Sequence, residues 1–251
     1  MPTVAGSSTA GRRAGYVAAL RSVGSDPGDM RRFLSAHSNL PGPRANLELA
    51  RAVADWAPDE LVDSLAGEQD EFLLFCAVLA LGERLARAAD PRIEAVLREH
   101  ARDPRWRIRE GVATGLQRVG DRELPRLCAL VRDWAATDDP LVKRAAAAAI
   151  CEPRLLVGPP GAPTALAVCS RVTSWIAVLP PERRPQAEVR SLRKALGYCW
   201  SVAIVADPAD GLPAFELLRG SEDPDVRWIV RENEGKARMR KVLAERQQPH
   251  S

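Results

Sequence analysis

The sequence predicts an all-α fold, an α-α superhelix (α-solenoid) of about six stacked helix pairs. Three observations predict it. Ala and Leu are abundant, while aromatic and β-branched strand-like runs are scarce. Apolar residues recur at helical spacing, as in Ile108, Val112, Leu116 and Val119, then Leu124, Leu127, Val131 and Trp134. Helix starts also recur. Asp103 to Arg107, Asp139 to Lys143 and Asp223 to Arg227 share Asp-Pro-x-apolar-basic. Asp accepts hydrogen bonds from the first free N–H groups of a helix, and Pro suits the first turn.

Taken in order, residues 1–11 are small and polar and are expected to be disordered. Tyr16, Leu20 and Val23, then Met30, Phe33 and Leu34, mark two short helices capping the array. Pro41-Gly42-Pro43 breaks the chain before a helix carrying Leu47, Ala50, Val53 and Ala54. Residues 71–88 read as one long helix with Phe72, Phe75, Cys76 and Leu79 on one face. Aligned helix starts place Arg44, Glu71, Arg107, Lys143, Arg190 and Arg227 in equivalent positions, separated by 27, 36, 36, 47 and 37 residues. A proline-rich insertion covers 157–163, a helix is expected over 164–179, and Pro180-Pro181-Glu182-Arg183-Arg184-Pro185 forms a rigid turn. After Gly235 the chain reads as a basic terminal helix, and 247–251 as a disordered tail. One repeat domain is expected over 12–246.

Composition excludes more than it selects. The net charge of +3, from 36 basic and 33 acidic residues, neither requires nor excludes a polyanion. Arginine outnumbers lysine 32 to 4, which coding bias explains without a nucleic-acid partner. Five scattered cysteines without a C-x-x-C pair predict buried, reduced thiols in a cytoplasmic protein. Three distant histidines offer no metal-ligand spacing, so no metal or cofactor is expected. The N-terminus lacks the apolar core of a signal peptide, and no apolar run reaches the ~18 residues of a membrane span. Gly158-Pro159-Pro160-Gly161 has prolines where a phosphate loop needs backbone amides, and no G-x-S-x-G elbow occurs. A monomer is expected.

The candidate binding residues are the cations and aromatics at the helix starts. Arg107, Lys143, Arg190 and Arg227 would line up on the inner surface, either as a track for phosphates or as partners of acids in neighbouring turns. Arg105, Arg109, Arg144, Arg193 and Arg231 have no fixed acidic partner in the pattern, which makes them the better phosphate candidates. Among the tryptophans, Trp56, Trp134 and Trp175 fall on apolar stripes and read as core. Trp106 and Trp228 sit beside Arg107 and Arg227, as core plugs or as groove-lining aromatics. Trp106 and Glu110, four residues apart, share one helical face.

The Asp-Pro-x-apolar-basic starts resemble those of HEAT repeats over about residues 40–240. Trp106 with Glu110, Arg144 in Lys143-Arg144-Ala145-Ala146, and Tyr198 after Lys194-Ala195-Leu196-Gly197 further resemble the HEAT-like alkylpurine DNA glycosylases of bacterial alkylation repair. That resemblance implies duplex DNA in a concave groove, Trp106 on the deoxyribose, Arg144 on a phosphate and Tyr198 as a second aromatic contact. It assigns Glu110 the catalytic role of stabilising positive charge as a cationic alkylated purine departs. The chain departs from the family's Trp-Asp-x-x-Asp, with Arg107 replacing the first Asp, Glu110 the second, and Tyr198 replacing a Trp. The other reading is a protein-binding scaffold holding a partner segment in the same groove.

Overall fold

The computed structural model describes residues 9–24 and 26–247. Among them are fourteen α-helices, one 3-10 turn and no strand. Thr9, Ala10 and Gly11, expected to be disordered, belong to the first helix, while 1–8 and 248–251 lie outside the described residues. The chain divides into two compact units between Arg118 and Val119.

The first unit holds α1 (Thr9–Val23), α2 (Pro27–Ala36), α3 (Leu47–Trp56), α4 (Asp59–Ala66), α5 (Glu71–Ala88), α6 (Pro91–His100) and most of α7 (Trp106–Arg122). Its centre is α5, against which α2, α3, α4 and α6 pack. Every residue from Phe72 to Gly82 is buried, so this helix is apolar all round, where a surface helix would keep a polar face. The second unit holds the end of α7 with α8 (Leu124–Ala136), α9 (Pro140–Ile150), α10 (Gly161–Ala177), α11 (Ala187–Ala206), α12 (Pro208–Arg219), α13 (Pro224–Glu234) and α14 (Ala237–Gln247). Here α11 is central, packed by α9, α10, α12, α13 and α14. Consecutive helices pack as the pair α5–α6 in the first unit and as α9–α10, α11–α12 and α13–α14 in the second.

Local chemistry sets the starts. Asp26, Asp70, Asp90, Asp139, Asp207 and Asp223 each accept a backbone N–H at the head of the following helix, and a proline follows all but Asp70. Asp103 accepts the Arg105 N–H just before α7, and the Arg105 guanidinium holds the Asp103 carboxyl below the usual carboxylate range. Two boundaries differ from expectation. Arg44, aligned as a helix start, lies in the loop three residues before Leu47. The insertion over 157–163 is shorter than its prolines suggest, because Gly161, Ala162 and Pro163 already form the first turn of α10.

Side chains stitch the second unit. Asn233 on α13 is fully buried; its amide donates to the Leu196 and Ile229 carbonyls and its oxygen accepts the Ser201 N–H. Trp200 donates to the Thr173 hydroxyl, which donates in turn to the Cys169 carbonyl. In the first unit, α5 and α7 meet backbone to backbone. A Cβ on Gly82 would fall 2.3 Å from the Gly115 Cα, whereas one on Gly115 would meet its nearest atom, the Val78 carbonyl oxygen, at 3.1 Å.

That asymmetry yields a prediction. Gly82→Ala should destabilise the protein by about 1–3 kcal/mol despite its helix-propensity gain, because rigid backbone must shift. Gly115→Ala should lie within about 1 kcal/mol of wild type, its mild crowding offset by the same gain. Urea unfolding midpoints of the two variants test the order.

Candidate functional site

The exposed indole of Trp106 opens a cleft in the first unit. Trp106, Glu110 and Thr114 follow one another along α7 at four-residue spacing and line it together. Phe75 on α5 and Leu47 at the head of α3 supply apolar walls, and Pro43, Arg44 and Ala45 form the rim. The cleft has a volume of about 270 Å³, and Trp106 keeps 52% of its surface exposed.

Arg107 holds this cleft together. Its guanidinium donates to Glu71 at 3.0 Å and to the Gly42 carbonyl at 3.1 Å, and lies 4.8 Å from the Trp106 ring centroid. It therefore ties α5, α7 and the loop before α3, and with Glu71 it also lines a second cleft beside Ser35, Ser38 and Asp70. Arg109 donates to the carbonyls of Asp103 and Pro104, securing the turn that precedes α7. Asn46 fixes the loop from the other end, donating to the Tyr16 hydroxyl and the His37 carbonyl and capping α3.

In the second unit, sequence-predicted residues separate into two groups. Lys143, expected on a binding track, is instead buried and engaged: it is 2% exposed, donates to the Ala135 carbonyl at 2.7 Å and lies 4.9 Å from the Trp175 ring. Arg193, expected to lack an acidic partner, pairs with Asp225 and stacks 4.7 Å from the Trp228 ring. In the first unit, Arg105 likewise pairs with Asp103. Trp228 plugs the junction of α11 and α13, its ring meeting Gly197, where a Cβ would fall 2.9 Å away. This close approach explains the glycine of Lys194-Ala195-Leu196-Gly197. Trp56 and Trp175, read as core, are only half-buried; Trp134 and Trp200 are the fully buried indoles.

The other group stays exposed. Arg190, Lys194 and Tyr198 recur every four residues on α11, and Arg227 and Arg231 do so on α13, which packs against it. Among the described residues, no acidic partner within ion-pair distance meets Arg190, Lys194, Arg227 or Arg231. The nearby Asp225 is already shared by Arg184 and Arg193. Tyr198 and Arg144 both lie beside Cys199, whose thiol is pushed up by burial. Cys151 and Cys169 are also buried, with sulfurs 3.7 Å apart, and all five cysteines are free and buried.

Sequence reasoning brought Trp106 and Glu110 to one cleft but missed Phe75, Leu47 and Arg44, which join it from other elements. It also missed Asn233, a polar residue inside the apolar stripe of Ile229 and Val230, and Lys194, one turn from Arg190.

A family model described as HEAT repeats matches residues 58–151. No curated protein matches the chain significantly. Among solved structures, one crystal structure of an engineered protein is similar at 16% identity and a TM-score of 0.38, covering 93% of this chain and 97% of the other. A second engineered protein aligns at 14% identity and a TM-score of 0.38, covering 87% and 92%. The fold is all-α and HEAT-like, an α-solenoid by class. No described helix is long and apolar enough to cross a membrane.

The buried Lys143 generates a pH prediction. Burial lowers its pKa from 10.5 to about 8, against the opposing pull of Asp138. Between those values the folded chain binds fewer protons than the unfolded chain, so this group makes stability rise with pH across the window. The full gain is about 3 kcal/mol. Buried thiols slope the opposite way near pH 9, so the diagnostic quantity is the difference between wild type and Lys143→Met. The variant's stability advantage should be largest below pH 8 and shrink toward pH 10.5 in urea titrations.

Proposed function

We propose that this chain is a protein-interaction repeat whose Trp106 cleft receives an extended segment of a partner protein. The observation that carries this reading is an exposed indole beside an apolar recess, on a wall already rigid. Trp106 is the most exposed of the six tryptophans, whereas the half-exposed Trp175 and Trp228 are stacked against Lys143 and Arg193 of their own unit. Buried aromatic anchors dominate binding energy at protein interfaces, and rigid walls reduce the ordering cost of association. The charge on Arg107 is met by Glu71, which suits a peptide's apolar side chain better than a bare phosphate. Affinity capture from nuclease-treated native lysate tests it. Wild type should retain a partner that Trp106→Ala loses by about thirtyfold in affinity, and that Leu217→Ala, at an exposed apolar control position, keeps. Identical capture by all three proteins would remove the reading.

A second reading, contact with nucleic-acid phosphates, is favoured by the unpartnered cations on α11 and α13. Arg190 and Lys194, with Tyr198 one turn further, are exposed on α11, and Arg227 and Arg231 are exposed on α13, which packs against it. If all four meet phosphates of duplex DNA, affinity should fall with salt at a log–log slope of about −3.6, and replacing all four by Gln should abolish that dependence. Absence of binding at low salt, or an unchanged slope in the quadruple variant, would eliminate this face as a DNA contact. Base excision, implied by the glycosylase resemblance, finds no support in the comparisons.

A further inference from the structure

The unspent charge at the rim of the Trp106 cleft indicates what its occupant carries. We infer that the segment bound there places a carboxylate beside its apolar anchor, and that Arg44 receives it; this rests on the protein-binding reading of the cleft. At about 270 Å³ the recess is smaller than the ~300–1,000 Å³ typical of cofactor and small-molecule pockets. It suits one large side chain rather than a whole ligand. Phe75, Leu47 and Trp106 define the anchor as apolar.

The polar rim sets the neighbouring residue. Arg107 is committed to Glu71 and the Gly42 carbonyl, and Glu110 also has an interaction within the protein. Arg44 is exposed and, among the described residues, has neither a hydrogen bond nor an ion pair from its side chain. One uncompensated guanidinium therefore faces the incoming chain, and a guanidinium binds a carboxylate with two parallel N–H donors. The Arg44 backbone is already placed. Arg107 holds Gly42 on one side, and the Asn46 N–H donates to the Ser38 carbonyl on the other. The backbone needs no ordering when the ion pair forms, so the cost is that of fixing the Arg44 side chain alone. A cationic neighbour would instead meet Arg44 with like charge.

Selection from a displayed random dodecapeptide library on the full-length protein tests the inference. Wild type should enrich Trp, Phe, Leu or Met with Asp or Glu within two positions, and Trp106→Ala should lose that enrichment. A synthetic peptide of the enriched sequence should bind Arg44→Gln about three- to tenfold more weakly, and Arg44→Glu should recover affinity when the peptide's acid becomes Lys. Trp106 and Arg44 are both exposed, and matching thermal midpoints establish that the three variants are folded. Trp106-dependent peptides without an acidic preference would overturn the role of Arg44 while leaving the cleft reading intact. Failure to enrich any Trp106-dependent peptide would overturn both.

Discussion

Charge neutralisation between successive helices organises this protein. Basic residues recur near the heads of α7, α9, α11 and α13, where packing would strip them of hydration. Each packed one is answered from elsewhere in its unit. Arg107 on α7 meets Glu71 on α5, Arg193 on α11 meets Asp225 on α13, and Lys143 finds the Ala135 carbonyl and an indole face. These contacts join neighbouring helices as well as satisfying charge, so helix stacking and electrostatics are one constraint. Part-buried pairs of this kind depend on geometry. Removing one partner strands the other, which is why a single member is costly to lose.

The proposed binding surfaces arise where that neutralisation leaves something over. In the first unit, the Arg107–Glu71 pair removes charge from the cleft and stiffens its wall, leaving an exposed indole and the lone Arg44 guanidinium. In the second unit, Asp225 is consumed by Arg184 and Arg193, so the outward cations of α11 and α13 have no acid to meet. The first surface suits an apolar anchor with an acidic neighbour. The second suits a polyanion. Both follow from the same accounting of which acids are already engaged.

Packing at the helix junctions is equally specific. Gly82 and Gly115 allow α5 and α7 to touch through backbone, while Gly197 admits the ring of Trp228 between α11 and α13. Asn233 adds three hydrogen bonds within the same α11–α13 junction. Small residues and one buried amide thus set how closely neighbouring helices approach, and large apolar residues fill the remaining volume.

The helices and their starts were legible in the sequence because their causes are local. Apolar period, Asp caps and Pro at the first turn act within four residues of one another, and the shared face of Trp106 and Glu110 follows from the same pitch. Arg44 was misaligned because its basic character matched the repeat while Pro41-Gly42-Pro43 delayed the helix. Which cations remain exposed was decided only by the tertiary structure. The acids that answer Arg107 and Arg193 lie 36 and 32 residues away on adjacent helices. No local pattern distinguishes Arg193, stacked and paired, from Arg190 one turn earlier, because burial and ion pairing belong to the packed neighbours rather than to the helix that carries the residue.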